Sequence, residues 1–254
     1  MIRGLYTATS GMTVQQKRQE NIANNLANAE TPSFKKQTLL VKSDDEVNVI
    51  KSEKTESETI GSISLGSEID GVKTDFSQGL ITETGKELDY AIDGNAFFQI
   101  VDETGQNGFS RNGSLNIDGL GNLINSQGHY LIGKNALNGL TEKINLLDTE
   151  FNIKGDGRII DRDNNLKYSM IISDFSNYDD LENLGNGVYI NNKNTEVTEG
   201  DFRLIQGFKE NSNVNVLDEM VKMIEISRAF ESNQRVVQSI DQMLSKAVNE
   251  VGKL

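Results

Sequence analysis

The chain contains no cysteine, no tryptophan, one proline (Pro32) and one histidine (His129). Without cysteine there can be no disulfide, thiolate metal site or cysteine nucleophile, which suits a protein that leaves the cell with no oxidative folding step. No apolar run approaches the roughly 20 residues of a membrane span, so membrane insertion is not expected. The opening Met1-Ile2-Arg3-Gly4-Leu5 lacks the apolar stretch of a secretory signal. The chain is therefore expected to be cytosolic, or exported by a route that reads something else. Basic residues are in the minority: 25 Lys and Arg against 38 Asp and Glu leave a net charge of −13. That balance disfavours nucleic acid and acidic membrane surfaces as partners. With one proline and 23 glycines, turns must be built mainly from Gly, Asn and Asp. The 254 residues suffice for one large domain or two small ones.

What the chain does have is a heptad seam at each end. Leu5, Met12, Gln19 and Leu26 are seven apart, with Ala8, Gln15 and Ile22 in the alternate column. Val216, Met223, Phe230, Val237 and Leu244 repeat in the same way, alternating with Ile226, Asn233, Ile240 and Ala247. A repeat of 3.5 residues keeps one narrow seam facing a partner helix. The simplest arrangement brings the two ends together, or brings each to its equivalent in a neighbouring subunit. The first helix is expected over 2–28, because Pro32 forces Thr31 out of helical geometry. Its seam is weakened by Gln15, Gln16 and Gln19, so it should need a partner. The last helix is expected from 214 to about 251, with Asn213 or Ser212 as N-cap and Gly252 placed to end it. Asn233 on the seam either fixes register or faces solvent.

Between the helices the pattern is β. Residues 42–62 are rich in Ser, Thr, Lys, Glu and Asp, and read as a mobile solvated loop or as an extended segment that orders on contact with a neighbour. From 63 to 205, short apolar runs alternate with turn signals. They include Asn112-Gly113 (expected as a hairpin turn), Asp118-Gly119, Gly155-Asp156-Gly157 and Gly185-Asn186-Gly187. The expected fold is α+β: N- and C-terminal helices pairing as a coiled coil around a mostly antiparallel, β-rich middle. The expected organisation is a helical assembly domain from 1–34 and 206–254, a mobile or extended linker from 35–62, and a β-rich domain from 63–205.

Catalytic and metal constellations are missing. A Ser-His-Asp triad would have to use His129, yet no Gly-x-Ser-x-Gly elbow is present. Asp161, Asp163 and Asn165 imitate the start of a calcium loop, but Leu166 stands where its glycine belongs and Ile172 where its glutamate belongs. Gly119 and Gly121 lack the third glycine of a dinucleotide site. No cofactor, metal or catalytic residue is expected. A rival reading is a β-rich wall-binding or carbohydrate-active module with coiled-coil ends.

Three separated motifs, in order and spanning nearly the whole chain, resemble bacterial flagellar rod and hook proteins. The exit of the first helix reads Ile22-Ala23-Asn24-Asn25-Leu26-Ala27-Asn28, then Thr31-Pro32-Ser33-Phe34-Lys35. The approach to the last helix reads Gly207-Phe208-Lys209-Glu210-Asn211-Ser212-Asn213, continuing to Arg228-Ala229-Phe230-Glu231. The middle carries Phe76-Ser77-Gln78-Gly79, Leu88-Asp89, Ala91-Ile92, Phe97-Phe98 and Phe109-Ser110-Arg111-Asn112-Gly113. Ser33 stands where the family often has Gly, Leu115 where it often has an aromatic, and Lys209 where it often has Leu.

The resemblance implies an axial structural protein of the basal body, either the distal or the proximal rod subunit. It implies export through the flagellar type III apparatus and polymerisation with itself and with other rod and hook proteins. A hook or hook-junction protein is the alternative within the same family. The residues expected at the assembly interface are Leu5, Met12, Ile22, Asn25 and Leu26 with Val216, Met223, Ile226, Phe230, Val237, Ile240 and Leu244.

Overall fold

The computed structural model describes residues 2–44, 46–53, 56–147, 151–192, 195–198 and 200–251. They form two compact units. The first is built from Met1–Ala27, Gln37–Asp75 and Asn215–Leu254, the second from Asn28–Lys36 and Phe76–Val214. No helix among the described residues is long and apolar enough to cross a membrane.

The first unit holds two long helices, α1 (Ile2–Ala27) and α2 (Val216–Val251). It also holds strands β1 (Gln37–Ser43), β2 (Glu46–Glu53), β3 (Glu56–Ser64) and β4 (Ser67–Thr74). Helix α1 ends one residue short of expectation. Helix α2 starts two residues late, and its N-cap is neither Asn213 nor Ser212. Asn215 caps it, its Oδ1 accepting from Leu217 N–H at 3.0 Å and Asp218 N–H at 3.4 Å. Asn213 is committed elsewhere, accepting from Lys36 N–H at 2.7 Å and donating to Ser77 O at 3.1 Å. Gly252 lies outside the described residues.

The 35–62 segment carries β1, β2 and most of β3. β1 pairs antiparallel with β4, and β2 with β3. Helix α1 packs on the β1–β4 ladder. There Thr7 Oγ1 donates to Leu65 O at 2.8 Å, and Ser10 sits so close to Gly66 that any side chain at 66 would collide with it.

The second unit is a β domain, and every strand pairing among its described residues is antiparallel. Strand Phe97–Val101 is central, paired with Asn107–Ser110, Tyr130–Asn135 and Ile172–Phe175. Its side chains alternate between two cores, as the period of two dictates. Phe98 and Ile100 enter the main cluster with Leu115, Leu131, Ile144 and Ile159. Phe97 enters an aromatic cluster with Phe175 and Tyr189, and meets Phe76 edge-on at 5.8 Å between ring centres. The buried doublet Phe97-Phe98 is thus one strand serving both faces.

Asn112-Gly113 is not a hairpin turn. Strand Asn107–Ser110 pairs with Phe97–Val101, while Leu115–Ile117 pairs with Leu123–Asn125. Asn112 is buried, donating to Ser126 Oγ at 2.8 Å and accepting from Ser114 N–H at 3.1 Å. A Cβ on Gly113 would lie 1.8 Å from Tyr90 O, so this glycine serves close backbone approach. An Asn-Gly pair that does turn a hairpin is Asn186-Gly187, with φ of 50° and 66°, between Leu181–Gly185 and Val188–Asn191.

Candidate functional site

The two helices pack against each other within one chain. Three contacts set their direction and phase. A Cβ on Gly4 would lie 3.4 Å from Ile240 Cδ1, and one on Gly11 would lie 3.0 Å from Asn233 Nδ2. Asn25 Nδ2 lies 3.2 Å from Glu219 Oε2. As α1 advances by 7 and then 14 residues, α2 retreats by the same steps, so the pair is antiparallel and in heptad phase. On α2, positions 219, 223, 226, 230, 233, 237, 240 and 244 are the sheltered row. Ile240 is buried there, and Met223, Ile226, Phe230, Val237 and Leu244 are half-buried. On α1, Ile22 and Asn25 are buried, while Leu5, Met12 and Leu26 are half-buried. Val216, seven residues before Met223 on the same column, is exposed.

Asn25 holds three elements together. Its Nδ2 donates to Gln37 O at 2.8 Å and to Glu219, and its Oδ1 accepts from Gln37 N–H at 3.0 Å. The amide thus imitates a strand neighbour at the start of β1 while reaching α2. Glu219 is 1% exposed, and its carboxylate is also met by Lys222 Nζ at 3.0 Å. A buried carboxylate with a cation and an amide donor has the partners it requires.

The second unit contains a buried charge cluster. Lys35 Nζ lies 2.6 Å from Glu210 Oε1, and Arg111 Nε lies 3.0 Å from Glu210 Oε2. All three residues are at most 2% exposed. Lys35 also donates to Ser77 O at 2.8 Å, and Arg111 to Gly94 O at 2.6 Å. The guanidinium sits 5.5 Å from the Phe97 ring centre. Gly79 N–H donates to Glu210 Oε1 at 2.8 Å. Ser33 N–H donates to Glu210 O at 2.9 Å, and Ser33 Oγ to Arg111 O at 2.9 Å. Tyr189, packed nearby, has its phenol pushed up chiefly by burial, with Arg111 opposing. Ser33 holds a φ of 57°. That left-handed backbone explains physically why glycine suits this position.

Three family models match the chain. One described as "Flagella basal body rod protein" covers residues 5–35. One described as "Flagellar hook protein FlgE/F/G D1 domain" covers 91–161. One described as "Flagellar basal body rod FlgEFG protein C-terminal" covers 205–250. Over 98% of its length the chain is 32% identical to the flagellar basal-body rod protein FlgG of Bacillus subtilis, spanning 99% of that protein. It is 33% identical to FlgG of Borreliella burgdorferi, with 98% of each chain covered. The chain belongs to the flagellar basal-body rod protein family. It is also similar, at 28% identity over the full length of both, to the flagellar hook-basal body complex protein FlhO of Bacillus subtilis.

The rod signatures read in the sequence converge in space. Lys35 comes from the first motif, Ser77, Gly79 and Arg111 from the middle one and Glu210 from the last. Sequence reading treated these as separate matches and singled out none of the three charges. A lysine, an arginine and a glutamate up to 175 residues apart carry no periodic signal. Glu219 was also passed over, although it lies seven residues before Ile226 and so on the seam. So was the outward stripe of α2: Leu217, Met220, Val221 and Ile224 are all more than half exposed.

The calcium-loop imitation resolves into a turn. Asp161 Oδ1 accepts from Asp163 N–H and Asn165 N–H, both at 2.9 Å. Asp118 does the same for Leu120 and Asn122, and Asp102 accepts from Gln106 N–H at 2.8 Å. These hydrogen bonds hold the carboxylates below their usual range. Asn122 leads for Asp118, Thr104 for Asp102 and the Asn165 N–H for Asp161. No cluster of three His, Cys, Asp or Glu side chains placed to hold a metal occurs among the described residues. His129 stands beside another such turn, its N–H donating to Asn125 Oδ1 at 3.0 Å.

Proposed function

We propose that this chain is a structural subunit of the flagellar rod, exported through the flagellar type III apparatus and polymerising helically with itself and with other rod and hook proteins. It has no catalytic role in this reading. The observation that carries it is the division of labour on α2. One row of α2 packs on α1 in antiparallel heptad phase, which supports a coiled-coil pair inside each subunit. The opposite stripe, Leu217, Met220, Val221 and Ile224, is apolar at i, i+3, i+4 and i+7 and stays bare. A helix apolar on two sides needs two partners. The second partner is a neighbouring subunit.

The seam residues Leu5, Met12, Ile22, Asn25, Leu26, Met223, Ile226, Phe230, Val237, Ile240 and Leu244 then shape the subunit's own helix pair. Val216 and the outward stripe meet the neighbour. The β2–β3 hairpin extends the reading, because Val47, Ile60 and Ile63 are exposed on it. A two-stranded hairpin is marginal by itself, and it too docks on a neighbour in the polymer.

The test uses two variants and electron microscopy of basal bodies beside a deletion strain. Val221→Glu should leave the isolated protein folded but stop rod growth. Phe230→Asp should disturb the helix pair itself and also stop it, with the β domain still folded. Normal rods and swimming with both variants would sink the reading, as would intact rods in the deletion strain.

A further inference from the structure

A cavity of about 760 Å³ in the second unit is lined by Leu88, Asp89, Ser114, Asn116, Ser126 and Lys209, among others. Asp89 is its one deeply buried charge, at 7% exposure. Its backbone is locked: Asp89 N–H donates to Lys86 O at 3.2 Å, Asp89 O accepts from Gly207 N–H at 2.8 Å, and the residue bridges to Ser114. Its carboxylate has no hydrogen bond or ion pair among the described residues. The other buried acids among the described residues have such partners: Glu210 and Glu219 are both met by cations. Of the other charges that line the cavity, Lys86 and Glu87 are exposed and solvated and Lys209 is half-buried.

We infer that the Asp89 cavity is a docking pocket for a basic side chain carried by helix α2 of a second copy of this chain. This rests on the polymer reading above. The Asp89 oxygens keep access to the cavity, so a cation with several donors that entered it could meet them in place of water. The pocket supplies hydroxyl and amide groups at Ser114, Ser126 and Asn116 to surround a guanidinium. The chain's own surface offers the complement. Arg228 and Arg235, seven apart on α2, are exposed and carry no ion pair among the described residues. They follow Val221 and Ile224 at helical spacing, so a neighbour seated on the apolar stripe meets them next. In a chain of net charge −13, two unpaired arginines on an assembly helix are the natural match for one unpaired buried acid.

The absence of cysteine makes a direct test available. Asn116→Cys at the pocket and Ser232→Cys between the two arginines are expressed together, and assembled rods are oxidised. The expected result is a cross-linked pair of copies that needs both cysteines. Asp89→Asn in the Asn116→Cys copy should cut its yield by about tenfold or more, with the unfolding midpoint of the isolated protein unchanged or raised. No cross-link in rods that are visibly assembled overturns the pocket and leaves the rod reading standing. A cross-link to a different protein overturns the second copy as occupant. An Asp89→Asn variant that loses its fold instead assigns Asp89 to the subunit's own stability. Absence of the chain from rods removes the rod reading, and this inference with it.

Discussion

Lys35 and Glu210 face each other at 2.6 Å with both side chains at most 1% exposed. One leaves the first helix and the other leads to the last. Arg111 completes the cluster, so the Glu210 carboxylate is met by two cations. Removing the carboxylate should therefore cost more than removing either cation. Glu210→Gln should lower stability by about 3–5 kcal/mol, the usual loss when a buried pair is broken. Lys35→Met leaves the Arg111–Glu210 pair in place and should cost less, within about 2 kcal/mol. Urea unfolding followed by circular dichroism gives both values, and equal losses would contradict the account.

Asn25 uses both ends of its amide, on Gln37 and on Glu219. Asn25→Ala should cost about 1–3 kcal/mol for the groups left without partners. Asn25→Asp should be worse at neutral pH, because it sets a second carboxylate against Glu219 and withdraws two donors. The check is thermal melting of the helical signal. An Asp variant as stable as the Ala variant would mean that Asn25 and Glu219 are not coupled.

Gly4 and Gly11 separate crowding from helix propensity. A Cβ at position 4 would make an ordinary contact with Ile240, whereas one at position 11 would press on the Asn233 amide. Gly4→Ala should stabilise by about 0.5–1 kcal/mol, the propensity gain alone. Gly11→Ala should be near neutral by itself and stabilising when combined with Asn233→Ala. The double-mutant cycle reads the coupling; additive effects would place Asn233 away from Gly11.

The pH profile follows from two sets of groups. Asp102, Asp118, Asp156 and Asp161 are held below the usual value of 3.8, led in turn by hydrogen bonds from Thr104, Asn122, Arg158 and the Asn165 N–H. A depressed folded pKa contributes stability above the unfolded value, and that stability fades as pH falls through the folded one. Tyr90 is pushed up to about 12, chiefly by burial. A raised folded pKa works in reverse: its contribution is complete below 10 and is lost as pH climbs toward 12. The melting temperature should thus be flat across neutral pH, fall below about pH 4 and fall again above pH 10. Asp118→Asn keeps the Oδ1 acceptor and should flatten part of the acid limb; an unaltered limb would remove Asp118 from it.

Much of this was legible in the chain itself. The heptad columns located both helices within two residues, because a 3.5-residue repeat is a local signal that side-chain burial must obey. Alternation and turn residues announced the antiparallel middle, and the absence of cysteine, long apolar runs and catalytic motifs bounded the chemistry. The family was readable from the Asn24-Asn25-Leu26 and Phe34-Lys35 signatures. Local readings failed where a residue's role depends on distant partners. Asn112-Gly113 has the letters of a hairpin turn, but Tyr90 and Ser126 claim it for packing. Asn213 has the letters of an N-cap, but Lys36 and Ser77 claim its side chain, so Asn215 caps α2. That Lys35, Arg111 and Glu210 share one site, that the α2 seam faces α1 and leaves Leu217 and Val221 bare, and that Asp89 stands unpaired in a cavity were decided by the tertiary structure alone. Burial and charge pairing are properties of neighbourhoods in space, and sequence order records only neighbourhoods along the chain.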